Sequence, residues 1–339
     1  MKIVVFNVNW IGDVIFSTPV FRTLKENFKN CYVGCILPKR CSELLKHSPF
    51  VDEILEFNER AEHKSLLKKI RFIKELRKKK YDLAILLHRS FTRALICYLA
   101  GIKERVGFIT KKRAFILTKK IPPPSNTLHK QDYYLYILEK LGLKVTKREC
   151  EVFVSDKEKE KASRILKESN VEKDEILIGL HLGANWEPKR WPLEYFAELI
   201  RLLYTHFKKI KIFITGARSD LDLAKNLINL SKFPLINLVG KTSLLELAAL
   251  YQKFDLIISG DSGPLHLGAT QGTKYIGLYG PTSPQITGVR AKAKGVIIFK
   301  DVGCRVPCYE KVCKKNYICM RSIKPFEVFE KVLYLLESK

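Results

Sequence analysis

The hydrophobic pattern divides the chain into two series of short apolar runs separated by longer amphipathic stretches. In the first half, apolar runs predict strands over 2–8, 32–37, 52–57 and 82–87. In the second half, similar runs predict strands over 176–180, 211–215, 254–259 and 275–278. Short strands that alternate with helical stretches are typical of a parallel, doubly wound sheet. The pattern therefore predicts an α/β protein with two similar halves.

One helix of the first half is unusually basic. Over 64–80, apolar residues recur at helical spacing among lysines and arginines, which predicts a basic amphipathic helix. These apolar residues are Leu66, Leu67, Ile70, Ile73 and Leu76.

The halves meet in a highly charged stretch, 155–173, whose pattern is helical. We predict an N-terminal Rossmann-like domain over 1–160 and a C-terminal one over 174–322. We predict a final amphipathic helix over 323–339. One possibility is that this helix crosses back to pack on the N-terminal domain.

The stretch 259–270 has the pattern of an anion site. An apolar strand is followed by Gly260 and Gly263, with Ser262 as an N-cap candidate and Pro264 in the first helical turn. Free backbone N–H groups and the helix dipole would point at one spot, where a phosphate could bind. The alternative is that the glycines only form a tight turn and that His266 only packs.

Composition adds a formal net charge of +26 over 339 residues. Such a charge attracts nucleic acid, anionic membrane surfaces or phosphorylated glycolipids. The basic residues cluster at 78–80, 111–113 and 119–120. The alternative for each cluster is a solvated end of a helix or hairpin, with no binding role. No apolar run approaches the roughly 18 residues that cross a bilayer. With no signal-peptide pattern at the N-terminus, we expect a cytoplasmic protein.

Four of the nine cysteines fall within one short polar segment, at Cys304, Cys308, Cys313 and Cys319. Four thiols this close can bind zinc tetrahedrally, but the spacing lacks the paired CxxC pattern. The alternative is reduced thiols packed under the last helix.

Four motifs together resemble one family. They are Trp-Ile-Gly-Asp at 10–13, Gly-Ala at 183–184 with Pro-Lys-Arg-Trp-Pro at 188–192, Asp-Ser-Gly at 261–263 with His266, and Leu-Tyr-Gly-Pro-Thr-Ser-Pro at 278–284. In this order they resemble the bacterial ADP-heptose:lipopolysaccharide heptosyltransferases of glycosyltransferase family 9, most of all heptosyltransferase II. The resemblance implies a GT-B fold, in which two Rossmann-like domains face a central cleft. It also implies inverting transfer of heptose from ADP-heptose to the inner core of lipopolysaccharide.

Within that resemblance, Asp13 is the expected catalytic base, which takes the proton of the acceptor hydroxyl. Its alternative is an N-cap for a helix that begins at Val14. Lys189 is expected to stabilise the charge that develops on the departing diphosphate. Arg190 either assists Lys189 or points to solvent.

The remaining expected contacts belong to the donor or to the acceptor. The donor contacts are Gly183, Asn185, Thr242, Asp261, Ser262, Gly263 and His266. The acceptor contacts are Arg89, Ser90, Arg93 and Arg113, because arginine forks suit carboxylates and phosphates. We expect no catalytic metal and no cofactor. The expected partners are ADP-heptose, the inner-core acceptor and, through charge alone, an anionic cytoplasmic leaflet, with the protein as a monomer.

Two other functions fit the residues. The first keeps the family and changes the sugar or acceptor, as in heptosyltransferases I and III. The second is a basic nucleic-acid-binding protein with a four-cysteine knuckle, although aromatic RNA-stacking and helix-turn-helix patterns are missing from the sequence.

Overall fold

The computed structural model describes residues 1–59, 61–125, 127–310 and 312–337. The chain divides into two compact units, Met1–Phe153 and Val154–Lys339. Each unit is built around its own sheet. No helix in the described ranges is both long enough and apolar enough to cross a membrane.

The first unit holds a six-stranded parallel sheet in the order β3-β2-β1-β4-β5-β6. Its strands are β1 Lys2–Phe6, β2 Tyr32–Leu37, β3 Glu53–Glu56, β4 Leu83–Leu86, β5 Glu104–Phe108 and β6 Lys119–Ile121. Its helices are α1 Ile11–Asn27, α2 Lys39–Ser42, α3 Leu66–Lys78, α4 Phe91–Leu99 and α5 Lys130–Glu139.

The second unit repeats this topology in the order β12-β11-β10-β7-β8-β9, again with parallel strands. Its strands are β7 Ile176–His181, β8 Ile210–Thr215, β9 Ile236–Asn237, β10 Leu256–Gly260, β11 Lys274–Tyr279 and β12 Gly295–Phe299. Its helices are α6 Asp156–Glu168, α7 Leu193–His206, α8 Leu221–Ser231, α9 Leu244–Tyr251, α10 Gly263–Thr270, α11 Pro284–Thr287, α12 Ile318–Arg321 and α13 Pro325–Glu337.

The central strands explain why the apolar runs are continuous rather than alternating. β4 and β10 are buried along their whole length, since helices cover both faces of each sheet. In both sheets the strand order reverses beside the first strand, at β1/β4 and at β7/β10. Ligands of doubly wound proteins bind at the carboxyl ends of the strands where this reversal occurs. The predicted pair of doubly wound sheets is thus confirmed.

Helix α3 differs from the prediction in which side chains it buries. It packs Phe72 and Leu76 into the core, whereas Leu66, Leu67 and Ile70 are exposed. The apolar residues form one broad arc on the helix, and only part of this arc packs on the core.

The charged stretch before β7 forms α6, which begins with a capping box between Ser155 and Glu158. Helix α6 packs against α9 and belongs to the second unit. The final helix, α13, also packs in that unit, where Val328, Val332 and Leu335 join the core beneath α7.

Candidate active site

Two loops of the second unit meet at its point of strand reversal. One follows β7 and carries Lys189, and the other follows β10 and leads into α10. The loops are in contact, because a Cβ atom built on Gly260 would lie 2.7 Å from the carbonyl oxygen of Lys189. Glycine at 260 is therefore needed for this close approach.

The loops are joined by an ion pair. Lys189 Nζ donates to Asp261 Oδ2 at 2.9 Å and to the Asp261 carbonyl oxygen at 3.3 Å. Asp261 is buried, while the Lys189 side chain keeps 23% of its surface exposed. The ammonium group is thus held in place by a carboxylate on a side chain that is only partly buried.

Two further residues contact the carboxylate of Asp261. His266 Nε2 lies 3.4 Å from Oδ1, and the Thr287 hydroxyl donates to Oδ2 at 3.2 Å. Burial by itself raises the pKa of Asp261, but the hydrogen bond from His266 and the charge of Lys189 outweigh it. The pKa therefore lies well below its usual range, and Asp261 is ionised at neutral pH.

Helix α10 begins where the sequence places it. Ser262 is the N-cap residue, Gly263 is the first helical residue and Pro264 lies in the first turn. The Ser262 hydroxyl pairs with Ser259 Oγ at 2.9 Å. The first N–H groups of α10 therefore start beside the Lys189–Asp261 pair, as a site for an anion requires.

The other predicted donor residues have different surroundings. Gly183 is buried against the carboxylate of Asp220, so a side chain at 183 would displace that group. Asn185 is exposed in the loop after β7, and Thr242 is half-buried just before α9. Arg190 donates from Nε and Nη2 to the carbonyl oxygen of Ala184, at 3.3 and 3.1 Å, and so braces this loop.

In the first unit, Asp13 lies at the corresponding reversal of strand order, on the helix that follows β1. Helix α1 begins at Ile11 with Trp10 as its N-cap, so Asp13 is a first-turn residue. The alternative of an N-cap for a helix starting at Val14 is wrong. Tyr134 of α5 donates its hydroxyl to Asp13 Oδ1 at 2.8 Å.

Tyr134 is a permanent donor to this carboxylate. Burial, followed by the charge of Asp13, raises the pKa of Tyr134 far above its usual value. Its hydroxyl consequently stays protonated across the working pH range. Sequence reasoning missed this residue, because the YYLYIL stretch of α5 has the pattern of a core helix.

Two of the four predicted acceptor residues are buried and form hydrogen bonds within the protein itself. Arg113 is 0% exposed and donates to the carbonyl oxygens of Phe108 and His88. Arg93 is also buried and donates to the Asn7 carbonyl and to the Asn9 side chain. Burial lowers the pKa of each guanidinium to about 10, so both remain charged at neutral pH. They brace the loops after β1, β4 and β5 from within.

Arg89 and Ser90 remain accessible at this edge. Arg89 is exposed, with its guanidinium 5.6 Å from the ring centroid of Phe108 and 5.3 Å from that of Tyr133. Ser90 is the half-buried N-cap residue of α4. This aromatic support holds Arg89 at the carboxyl end of β4, next to the position of Asp13 after β1.

The four cysteines of the segment 304–319 are unbridged and half-buried. In the described ranges, no group of three or more His, Cys, Asp or Glu residues is placed to hold a metal ion. Cys313 Sγ accepts from the Tyr317 N–H at 3.3 Å, and Cys319 is partly buried on α12 beside the core. Burial raises the pKa of Cys319, which is consistent with a protonated thiol.

Comparison with known proteins gives consistent matches. The sequence model of glycosyltransferase family 9 (heptosyltransferase) matches residues 69–318. A lipooligosaccharide heptosyltransferase 2 from Campylobacter jejuni is 28% identical over 345 residues, which span 100% of this chain and 99% of that protein.

Solved structures agree with the fold. ADP-heptose LPS heptosyltransferase II from E. coli superposes with a TM-score of 0.81 at 25% identity and covers 99% of both chains. A family 9 glycosyl transferase from Veillonella parvula superposes with a TM-score of 0.86 at 24% identity, over 99% of this chain and 97% of its own. These neighbours confirm the predicted GT-B fold class.

Proposed function

Because the chain belongs to glycosyltransferase family 9, the heptosyltransferase family, we propose that it transfers L-glycero-D-manno-heptose from ADP-heptose to an inner-core heptose of lipopolysaccharide. Membership confirms the resemblance found in the motifs and replaces the alternative of a nucleic-acid-binding protein. The observation that carries the proposal is the Lys189–Asp261 pair beside the start of α10. A cation, a buried carboxylate and the N-terminus of a helix suit the diphosphate and hydroxyl groups of an ADP-sugar.

In the proposed reaction, the acceptor hydroxyl oxygen attacks the anomeric carbon of the donor while Asp13 takes the hydroxyl proton. The bond from that carbon to the diphosphate oxygen breaks, and its electron pair leaves with ADP. The configuration at the anomeric carbon is inverted, since attack and departure occur on opposite sides.

Lys189 acts on the leaving group. Negative charge grows on the β-phosphate as the bond breaks, and a cation fixed there stabilises the transition state more than the ground state. The Asp261 carboxylate accepts from a sugar hydroxyl and keeps Lys189 oriented. Gly183, Asn185, Thr242, Ser262, Gly263 and His266 complete the proposed donor site. No step requires a metal or a cofactor.

On the acceptor side, Arg89 and Ser90 are the proposed direct contacts. The carboxylates of Kdo and the phosphates of the core suit the exposed guanidinium of Arg89. Arg93 and Arg113 contribute by holding the loops that carry these contacts. The net charge of +26 supports attachment of the monomer to an anionic cytoplasmic leaflet, where such an acceptor would be presented.

Product analysis tests this function. The purified protein is incubated with ADP-heptose and a defined inner-core acceptor ending in heptose I, and products are identified by mass and by the anomeric configuration. We expect ADP release with one added heptose of inverted configuration. Transfer to an acceptor that ends in Kdo alone would instead support heptosyltransferase I. Transfer only from another nucleotide sugar would contradict the donor assignment.

Removing the Tyr134 hydroxyl should slow transfer without unfolding the protein. Tyr134→Phe removes the donor that orients the Asp13 carboxylate, and a displaced base should lower kcat about 10- to 100-fold. The KM for ADP-heptose should stay unchanged, since Tyr134 contacts Asp13 and not the donor cradle. Steady-state kinetics measures both, and Tyr136→Phe on the same helix is the matched control. Equal losses in the two variants would make the effect one of packing alone.

A further inference from the structure

The outward surface of α3 carries large apolar side chains that no part of the described unit covers. Leu66 is 72% exposed and Leu67 is 79% exposed, with Ile70 beside them. At about 100° per residue, Leu66 and Ile70 lie in one row, with Leu67 at their side. Contiguous exposed apolar groups mark a binding surface far more often than isolated ones do.

Basic residues surround these leucines. The helix sequence LLKKIRFIKELRK contains six basic residues and one acidic residue. The row that starts with Leu66 and Ile70 continues one and two turns later with exposed Lys74 and Lys78, and Arg71 follows Leu67. The surface therefore combines exposed apolar groups at the start of α3 with cations along the whole helix.

Helix α4 and the segment after β5 extend this surface. Arg77 of α3 donates to the Leu99 carbonyl at 2.6 Å, which joins the ends of the two helices. Phe115 is 77% exposed, and its ring centroid lies 6.3 Å from that of Phe91 at the start of α4. Exposed Lys111 and Lys112 precede Phe115. We call these parts of α3, α4 and 111–115 the α3–α4 face.

The apolar end of the α3–α4 face lies at the functional edge of the first sheet. In a parallel sheet, each connecting helix starts at the carboxyl end of the strand before it. Leu66 and Leu67 begin α3, and Phe91 directly follows Ser90 at the start of α4. Asp13 follows β1 at that same edge. A surface bound by these apolar groups would therefore lie next to the proposed acceptor site.

We propose that the α3–α4 face docks on an anionic lipid bilayer, with Leu66, Leu67 and Phe115 entering the boundary between headgroups and acyl chains. Interleaved leucine, phenylalanine, lysine and arginine are the composition of helices that lie in this interface. A second copy would bring the same cations against each other, and a purely electrostatic contact would leave the leucines unexplained. The docking itself does not depend on the proposed function. Only its purpose, which is to reach a lipid-anchored acceptor, rests on that function.

Vesicle binding by the full-length protein tests this docking. Sedimentation with phosphatidylglycerol–phosphatidylcholine vesicles is compared for wild type and a Leu66→Gln/Leu67→Gln variant, since glutamine preserves helix propensity. We expect the affinity to fall about tenfold or more, because two side chains lose apolar burial. In the Arg71→Gln/Lys74→Gln variant, the affinity for these vesicles should fall about fivefold for each positive charge removed. Vesicles of phosphatidylcholine alone should bind wild type weakly.

Leu230→Gln is the matched control, because Leu230 is a 52% exposed leucine on α8 of the second unit. It should bind vesicles as wild type does, and all variants should share the wild-type thermal midpoint. Wild-type binding by the Leu66→Gln/Leu67→Gln variant would overturn the proposal. The proposal would also be overturned if the Leu66→Gln/Leu67→Gln variant kept its vesicle binding but lost self-association. The face would then be a contact between copies of the chain. Transfer to a soluble, delipidated acceptor should be unchanged in this variant, so failure of docking and failure of the proposed function are separable.

Discussion

Asp13→Asn should abolish turnover while leaving the donor site intact. An amide cannot take the proton of the acceptor hydroxyl, and loss of a general base costs about 10²- to 10⁴-fold in rate. Asparagine has the same shape, and its oxygen still accepts the hydrogen bond that Tyr134 donates to Asp13. The first turn of α1 should therefore keep its structure. Steady-state kinetics measures the loss of kcat. The shift of the thermal midpoint that ADP produces measures whether the donor site is intact.

Asp222→Asn is the control for Asp13→Asn. It removes the same charge, but the Asp222 side chain is 92% exposed on α8. Its kcat should equal that of wild type. If Asp13→Asn retained near-normal turnover with normal ADP binding, Asp13 would have no part in proton transfer. Loss of the ADP shift in Asp13→Asn would point to misfolding and would require the comparison at a permissive temperature.

The sequence predicted the strand–loop–helix units well, because continuous apolar runs and glycine turns are local signals. Lys189 and Asp261 were both predicted as site residues, yet their ion pair joins positions 72 residues apart. Such a pair depends on which strands become neighbours. Thr287, which donates to Asp261, was missed for the same reason.

Burial of polar residues was the main property that the sequence left open. Arg93 and Arg113 have the same side chain as Arg89, and only the packed fold separates buried braces from an exposed contact. Helix α3 shows the corresponding limit for apolar residues. Helical spacing is satisfied by Leu66 and Ile70 as well as by Phe72 and Leu76, and the sheet selects the second pair.

Lys189→Met should lower kcat about 10²- to 10³-fold, the usual effect of removing one donor from a site where charge develops. Methionine keeps the length and apolar stem of lysine but removes its charge. The KM for ADP-heptose should rise less than kcat falls, because the charge on the β-phosphate is greatest in the transition state. Steady-state kinetics with varied ADP-heptose separates the two parameters.

Loss of Lys189 should also lower the stability of the second unit, because Asp261 loses its ion-pair partner. The Asp261 carboxylate stays buried and keeps His266 and Thr287, but it loses its bond to an ammonium group. A charged hydrogen bond of this kind contributes about 1.5–3 kcal/mol, so the second unit should unfold at lower urea. A double variant, Lys189→Met/Asp261→Asn, removes the unpaired charge and should recover part of this stability without recovering turnover. Lys225→Met, at a largely exposed lysine on α8, is the control for both measurements. Wild-type kcat in Lys189→Met, together with the expected loss of stability, would make Lys189 a structural partner of Asp261 and leave α10 alone to stabilise departing ADP.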